Sequence, residues 1–208
     1  MTPVSPSFLS FLSASAVPAE TGGMGISAQT YDRFARWALR WFYRRVAEDL
    51  SVLPPAAKVL DIGCGTGVML AGLARRRPDL ELAGIDVAPG MIAVARRNAP
   101  TGLGIEFGVG DVVALPHAAS TLDVVVTTLS MHHWPDRRRA VADIARTLKP
   151  GGRLYVYDFR FTPAPELTEA STGDGPFTGA PLERTHVPAA PWFPLRPFAR
   201  FSLVRDEN

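Results

Sequence analysis

Cysteine is nearly absent from this 208-residue chain: Cys64 stands alone, which excludes an internal disulfide and fits a reducing compartment, so a cytoplasmic setting is expected. No apolar run reaches the roughly 18 residues of a membrane span. Charge of one sign is lacking too, with 22 Lys+Arg against 20 Asp+Glu and a net charge of +2. There is no basic stripe of the kind that nucleic-acid binding needs, so nucleic acid is not an expected partner. The compact run Arg75 to Arg77 falls at a helix end, where cations complement the dipole. Histidines are few, and the adjacent pair His132 and His133 has no third ligand at suitable spacing, so no metal is expected. The apolar stretch Phe8 to Val17 has no positive flank and is broken by Ser10, Ser13 and Ser15, unlike a signal peptide. Residues 1–28 are therefore expected to form a flexible extension.

What is present is a core: 47% of the residues are hydrophobic, enough for a domain of this size to fold without a staple. Tyr31, Phe34, Trp37, Ala38, Trp41, Phe42 and Leu50 follow helical spacing and predict one amphipathic helix from Tyr31 to Leu50, stopped before Pro54 and Pro55. Strands are predicted at Lys58 to Ile62, Leu80 to Ile85, Ile105 to Val109, Leu122 to Thr128 and Arg153 to Phe159. Helices are predicted between them at Val68 to Arg77, Gly90 to Asn98 and Arg137 to Leu148, with Lys149-Pro150-Gly151-Gly152 as a stop signal. Leu122 to Thr128 is continuously apolar and β-branched, as in a parallel strand buried on both faces. The alternation predicts an α/β fold, a Rossmann-like, doubly wound, mostly parallel sheet with helices on both faces in a single domain. The core would span 29–160. Residues 161–208, rich in Pro, Gly and Thr up to Val187, would complete it with weak helical promise at Glu166 to Ala170 and a terminal strand at Phe198 to Val204.

Ligands of such sheets bind beyond the carboxyl ends of the strands. The polar and glycine residues of this sequence gather at those ends: Gly63 to Gly67, Asp86, Asp111, Thr128 to Trp134 and Asp158. The loop Gly63-Cys64-Gly65-Thr66-Gly67 reads G-x-G-x-G, not the dinucleotide pattern G-x-G-x-x-G. Asp61, two residues before it, would repel a pyrophosphate and hold an ammonium group. That spacing favours an aminoacyl-bearing nucleoside over a nicotinamide dinucleotide. Asp86 suits ribose hydroxyls and Asp111 an exocyclic adenine amine, with Val87 and Met91 as apolar contacts to the base. His132 and His133 are candidate bases, since imidazole titrates near neutrality. His117 and His186 read as surface or loop residues.

The segments KVLDIGCGTG (58–67), GIDVAPGMI (84–92), GDVVALP (110–116), LDVVVTTLSMHHW (122–134) and LKPGGRLYVYD (148–158) resemble the successive motifs of class I S-adenosylmethionine-dependent methyltransferases, and are most similar to the branch with the ubiquinone/menaquinone C-methyltransferases and many small-molecule enzymes. The resemblance runs from about Gln29 to Phe159. It implies that Asp61, Gly63 and Gly65 hold the methionine moiety, with Cys64 and Gly67 in the same loop, that Asp86 holds the ribose, and that Asp111 and the Val112 backbone hold the adenine. Thr128, Leu129 and Ser130 would line the cofactor near its sulfur, and Tyr31 would reach its carboxylate. The product would be S-adenosylhomocysteine, and the acceptor a small molecule methylated at oxygen, nitrogen or carbon.

The stretch 161–187 is short for such a family, so the acceptor pocket is expected to be open or completed by a second copy in a homodimer. The alternatives are a nicotinamide oxidoreductase, disfavoured by the loop, and a non-catalytic cofactor-binding or regulatory partner. The aromatic and arginine residues of Trp192 to Phe201 are expected to pack in the core.

Overall fold

In a computed structural model the described residues are 27–206, apart from 173, 179, 180 and 193. The expected N-terminal extension lies almost wholly outside them; Ala28 already belongs to the first helix.

Residues Tyr31 to Leu50 do not form one helix. They form α1 (Ala28–Ala38) and α2 (Arg40–Asp49), separated at Leu39, whose φ of −103° and ψ of 8° leave the helical region. No proline or glycine marks the break. It turns α2 so that Phe42, Tyr43, Val46 and Ala47 are buried, while Phe34 and Trp37 of the predicted stripe stay exposed on α1.

From there the alternation follows the prediction closely: β1 (Lys58–Ile62), α3 (Val68–Arg76), β2 (Glu81–Asp86), α4 (Pro89–Asn98), β3 (Glu106–Val109), β4 (Leu122–Thr128), α5 (Arg137–Thr147), β5 (Leu148–Phe159) and α6 (Pro165–Ala170). β5 starts earlier than predicted. Leu148 pairs with Leu122 and Arg153 with Val124, so the four-residue stop signal bulges out of the strand rather than preceding it. β6 (Glu183–Val187) was not predicted at all, and β7 (Phe198–Val204) was.

The strands form one seven-stranded sheet of order β3-β2-β1-β4-β5-β7-β6, parallel except where β7 runs antiparallel to both β5 and β6. Alternate strand residues feed two cores. Val59, Val124 and Val126 pack with α1 to α4 on one face. Leu60, Ile62, Ile85 and Val125 pack with α5 and α6 on the other. Each fully buried Leu or Ile contributes on the order of 1.5–3 kcal/mol. β1 is followed in space by β2 on one side and β4 on the other, so the chain reverses its winding at the end of β1, which makes that end the natural ligand crevice. No helix among the described residues is long and apolar enough to cross a membrane.

Candidate active site

The loop leaving β1 turns back on itself to open α3. Gly63 and Gly67 hold φ of +69° and +74°, the left-handed region that side chains resist. Space forbids a side chain as well. A Cβ on Gly63 would lie 2.0 Å from Ser130 Oγ, and one on Gly67 2.8 Å from the Phe107 ring. Gly63→Ala should therefore lower the melting temperature and weaken S-adenosylhomocysteine about tenfold or more, because backbone strain of ~1–2 kcal/mol adds to the clash. Thermal unfolding and calorimetric titration of the same preparation would show it; unchanged values would mean that Ser130 yields freely.

Beneath the loop lies Asp61. It is wholly buried, and neither carboxylate oxygen has a hydrogen-bond partner. Burial pushes its pKa well above the usual carboxylate range, and the nearby Asp86 pushes it further. Asp86 accepts from the backbone N–H of Gly65 at 3.0 Å and of Ala88 at 2.9 Å. It too is raised by burial, against these two hydrogen bonds. Tyr31 reaches in from α1, with its ring edge 3.5 Å from where a Gly65 Cβ would stand. Its hydroxyl lies 3.4 Å from that of Tyr43. Burial raises the Tyr31 phenol, and the Asp86 and Asp61 charges add to this. Burial raises Tyr43 well above its usual value, and the neighbouring Tyr31 and the Asp61 charge add to this; the residue carried no sequence signal beyond its place on a helix.

The four groups form a desolvated cluster of two carboxyls and two phenols, with no cation paired with Asp61 among the described residues. An ammonium or sulfonium fits that donor-poor cradle, whereas a pyrophosphate would add like charge. Asn98, also unforeseen, fastens the rim: its Nδ2 donates to Asp32 Oδ1 at 2.8 Å and to the Thr66 carbonyl at 3.1 Å, tying α4 to α1 and to the loop.

Met91 and Val112 are buried, Cys64 is buried beside Gly84, and Val87 and Asp111 are exposed. Asp111 caps its own turn by accepting from the Val113 N–H at 3.1 Å. At the end of β4, Thr128 is buried and Leu129 adopts φ of +51°, an uncommon strain for a leucine. Ser130 Oγ accepts from Trp134 Nε1 at 3.1 Å.

The two histidines that follow are held differently. His132 Nδ1 lies 2.8 Å from Oδ1 of the buried Asp158, whose Oδ2 accepts the His132 backbone N–H at 3.1 Å. Phe159 N–H and Thr162 Oγ1 also donate to Asp158, at 2.7 and 3.4 Å. A carboxylate only accepts, so Nδ1 carries the proton and Nε2 is left as an acceptor. His133 packs its ring 4.0 Å from that of His132, and partial burial lowers its pKa. His132 also faces Phe159 at 5.3 Å, and Phe159 stacks on the exposed Phe161 at 5.7 Å, an aromatic wall beyond the histidines. His117, read from sequence as a surface or loop residue, lies in the loop between β3 and β4 but is buried there, and burial together with the Arg146 charge lowers its pKa to about 4. Among the described residues no group of His, Cys, Asp and Glu could hold a metal ion.

Residues 59–152 match the methyltransferase domain family. They are a class I methyltransferase domain. Within it fall Asp61, the glycine loop, Asp86, Asp111 and both histidines, while Tyr31 and Asp158 reach the site from flanking segments. The chain is similar to the demethylmenaquinone methyltransferase of Thermus thermophilus, with 38% identity over 122 residues that cover 58% of this chain and 54% of that protein. It is also similar to the malonyl-[acyl-carrier protein] O-methyltransferase of Methylococcus capsulatus, with 36% identity over 118 residues covering 56% of this chain and 42% of that protein. The chain thus spans about half the length of the curated relatives it matches. In fold, the methyltransferase domain and its flanks superpose on an S-adenosyl-L-methionine-dependent methyltransferase from Methanococcus maripaludis, with a TM-score of 0.71 and 19% identity over 94% of this chain and 99% of that one. S-adenosylmethionine is the cofactor of this class, and the orphaned Asp61 carboxylate fits its ammonium group.

Proposed function

We propose that the chain transfers the methyl group of S-adenosylmethionine to a small-molecule acceptor that gives up a proton as it is methylated, at a hydroxyl oxygen or an acidic carbon. The observation that carries this reading is Asp61, a buried carboxylate with both oxygens unpartnered at the switch point of the sheet. Asp61 and the glycine loop would hold the aminoacyl end of the cofactor, with Tyr31 at its carboxylate. Asp86 keeps lone pairs for the ribose beyond the two it gives to Gly65 and Ala88, and Asp111 and Val112 lie where adenine would rest. When bound, the cofactor supplies a methyl group already activated on a sulfonium.

The protein's work is then to position the acceptor and take its proton. His132 Nε2 is the group set up for that: Asp158 fixes the ring and its tautomer and would stabilise the imidazolium that forms. His133, whose pKa partial burial lowers, would orient the acceptor. Phe159 and Phe161 offer it an apolar wall, as an aromatic or lipid-like molecule would use. The names of the two relatives give as acceptors a demethylmenaquinone and a malonyl group on an acyl-carrier protein.

Calorimetric titration with S-adenosylhomocysteine and, in parallel, NADH tests the reading. Micromolar binding of the first, weakened about tenfold or more by Asp86→Ala, is expected. A preference for NADH, or no binding of either, would leave only the fold.

A further inference from the structure

Along α1 and in the segment before β7 the fold leaves large apolar side chains in solvent. Trp37 is 83% exposed, Trp192 68%, Leu195 64% and Phe34 48%. These residues come from two distant segments that meet. Trp41 touches Trp192 edge-on with ring centroids 5.0 Å apart, which fastens the 188–197 segment to the first turn of α2, just past the Leu39 break that separates it from Trp37 on α1. The expectation that Trp192 packs in the core thus fails, while Phe198 and Phe201 of the same stretch are buried.

Arginines surround the aromatic groups. Arg40 and Arg44 place their guanidinium carbons 5.2 and 5.4 Å from the Trp41 ring centre. The carboxylates of the neighbourhood are already engaged, Asp32 by Arg36, Glu48 by Arg44 and Asp49 by Arg45, each at 2.9 Å. Arg33, Arg40 and Arg196 are exposed and have no ion pair among the described residues, so the surface carries a surplus of positive charge. Behind the Trp41–Trp192 contact, a groove of about 460 Å³ opens between α2 and the β6–β7 edge, where Arg44, Arg45, Arg196 and Arg200 outnumber the two carboxylates Glu48 and Asp49. Arg200 Nε is buried there without a hydrogen-bond partner.

Indole rings favour the boundary between hydrocarbon and water, and guanidinium groups bind phosphate through paired N–H donors. We propose that this face docks on an anionic phospholipid surface, with Trp37, Trp192 and Leu195 at headgroup depth and the arginines on the lipid phosphates. A nucleic acid would use the arginines and indoles but leave Leu195 and Phe34 in water. The charge surplus disfavours a second copy of the same face, which would set arginine against arginine. The proposal stands independently of the methyl-transfer reading, because none of these residues belongs to the cofactor or acceptor machinery.

The test is sedimentation of the full chain with vesicles of phosphatidylcholine alone or mixed with phosphatidylglycerol. Binding to the anionic vesicles only, weakening with salt and accompanied by a blue shift of tryptophan emission, is expected. The Trp37→Ala/Trp192→Ala pair should weaken it about tenfold or more, and Arg33→Gln, Arg40→Gln and Arg196→Gln about fivefold each, with unchanged melting temperatures. The proposal falls if neither vesicle binds, if neutral vesicles bind equally well, or if the tryptophan pair variant binds like the parent. It also falls if deletion of residues 1–26 alone removes binding, if self-association is abolished by Trp37→Ala, or if a single-stranded oligonucleotide binds more tightly than the vesicles.

Discussion

Asp61→Asn is expected to raise the melting temperature of the ligand-free protein by a few degrees while weakening S-adenosylhomocysteine about 100-fold or more. The two effects share one cause. Asp61 is buried with no donor at either oxygen, so the folded state must hold a desolvated charge or a captured proton. Replacing the carboxylate by a neutral amide removes that penalty, and ~1 kcal/mol moves the midpoint of a domain this size by about 2–4 °C. On the proposed reading, the same change removes the buried charge that meets the ammonium group of the ligand.

The pH dependence has a definite sign. The carboxyl pKa is raised in the folded state above its unfolded value, so folding takes up a proton between the two. Stability is complete below the unfolded carboxylate pKa and falls as the pH rises towards the folded one. The advantage of Asp61→Asn should therefore vanish in acid and grow as the pH rises from the unfolded carboxylate pKa towards the folded one. Thermal melts across pH, with titrations at neutrality, check both halves. A destabilised asparagine variant that still binds would show that Asp61 is structural.

The second large effect is expected at Asp158→Asn, which should reduce turnover by on the order of 100- to 10,000-fold, the range that a positioned base supplies, with little change in S-adenosylhomocysteine affinity. An asparagine of the same shape can offer its N–H₂ to His132, which then turns its other tautomer to the acceptor. His132→Ala should cost about as much, and the double variant no more than either alone, because the pair acts as a unit. Full activity in Asp158→Asn, with the protein folded and binding cofactor product, would assign the pair a structural role and leave His133 as the base. Asp158 is a positioning residue in this scheme, since it acts through the ring it holds.

Much of this was legible in the residues. β1 and β4 are short apolar runs whose ends carry the glycine loop and the Thr128 to His133 segment, so period and punctuation together place both strands and the crevice between them. The same reasoning marked Asp158 as a strand end but could not pair it with His132, which lies 26 residues away and meets it only because β4 and β5 are neighbours. Tyr43 and Asn98 carry no local mark; their roles arise from helices packing over the loop. The break at Leu39 was invisible because Trp37 and Trp41 lie on one stripe only if the helix is continuous. β6 was missed because four of its five residues, Glu183 to His186, are exposed and polar, and only its pairing with β7 makes it a strand.

That last strand has a consequence for how the protein behaves in crowded solution. β6 forms one rim of the sheet, with its outer backbone groups unpaired among the described residues. An outer strand of this kind is a template on which further chains can stack. Glu183, Arg184 and His186 place charged or titratable groups along that template, and parallel stacking in register would set like charge on like at each rung. The feature that hid the strand from hydropathy is thus the one that keeps the sheet from growing beyond seven strands into an aggregate.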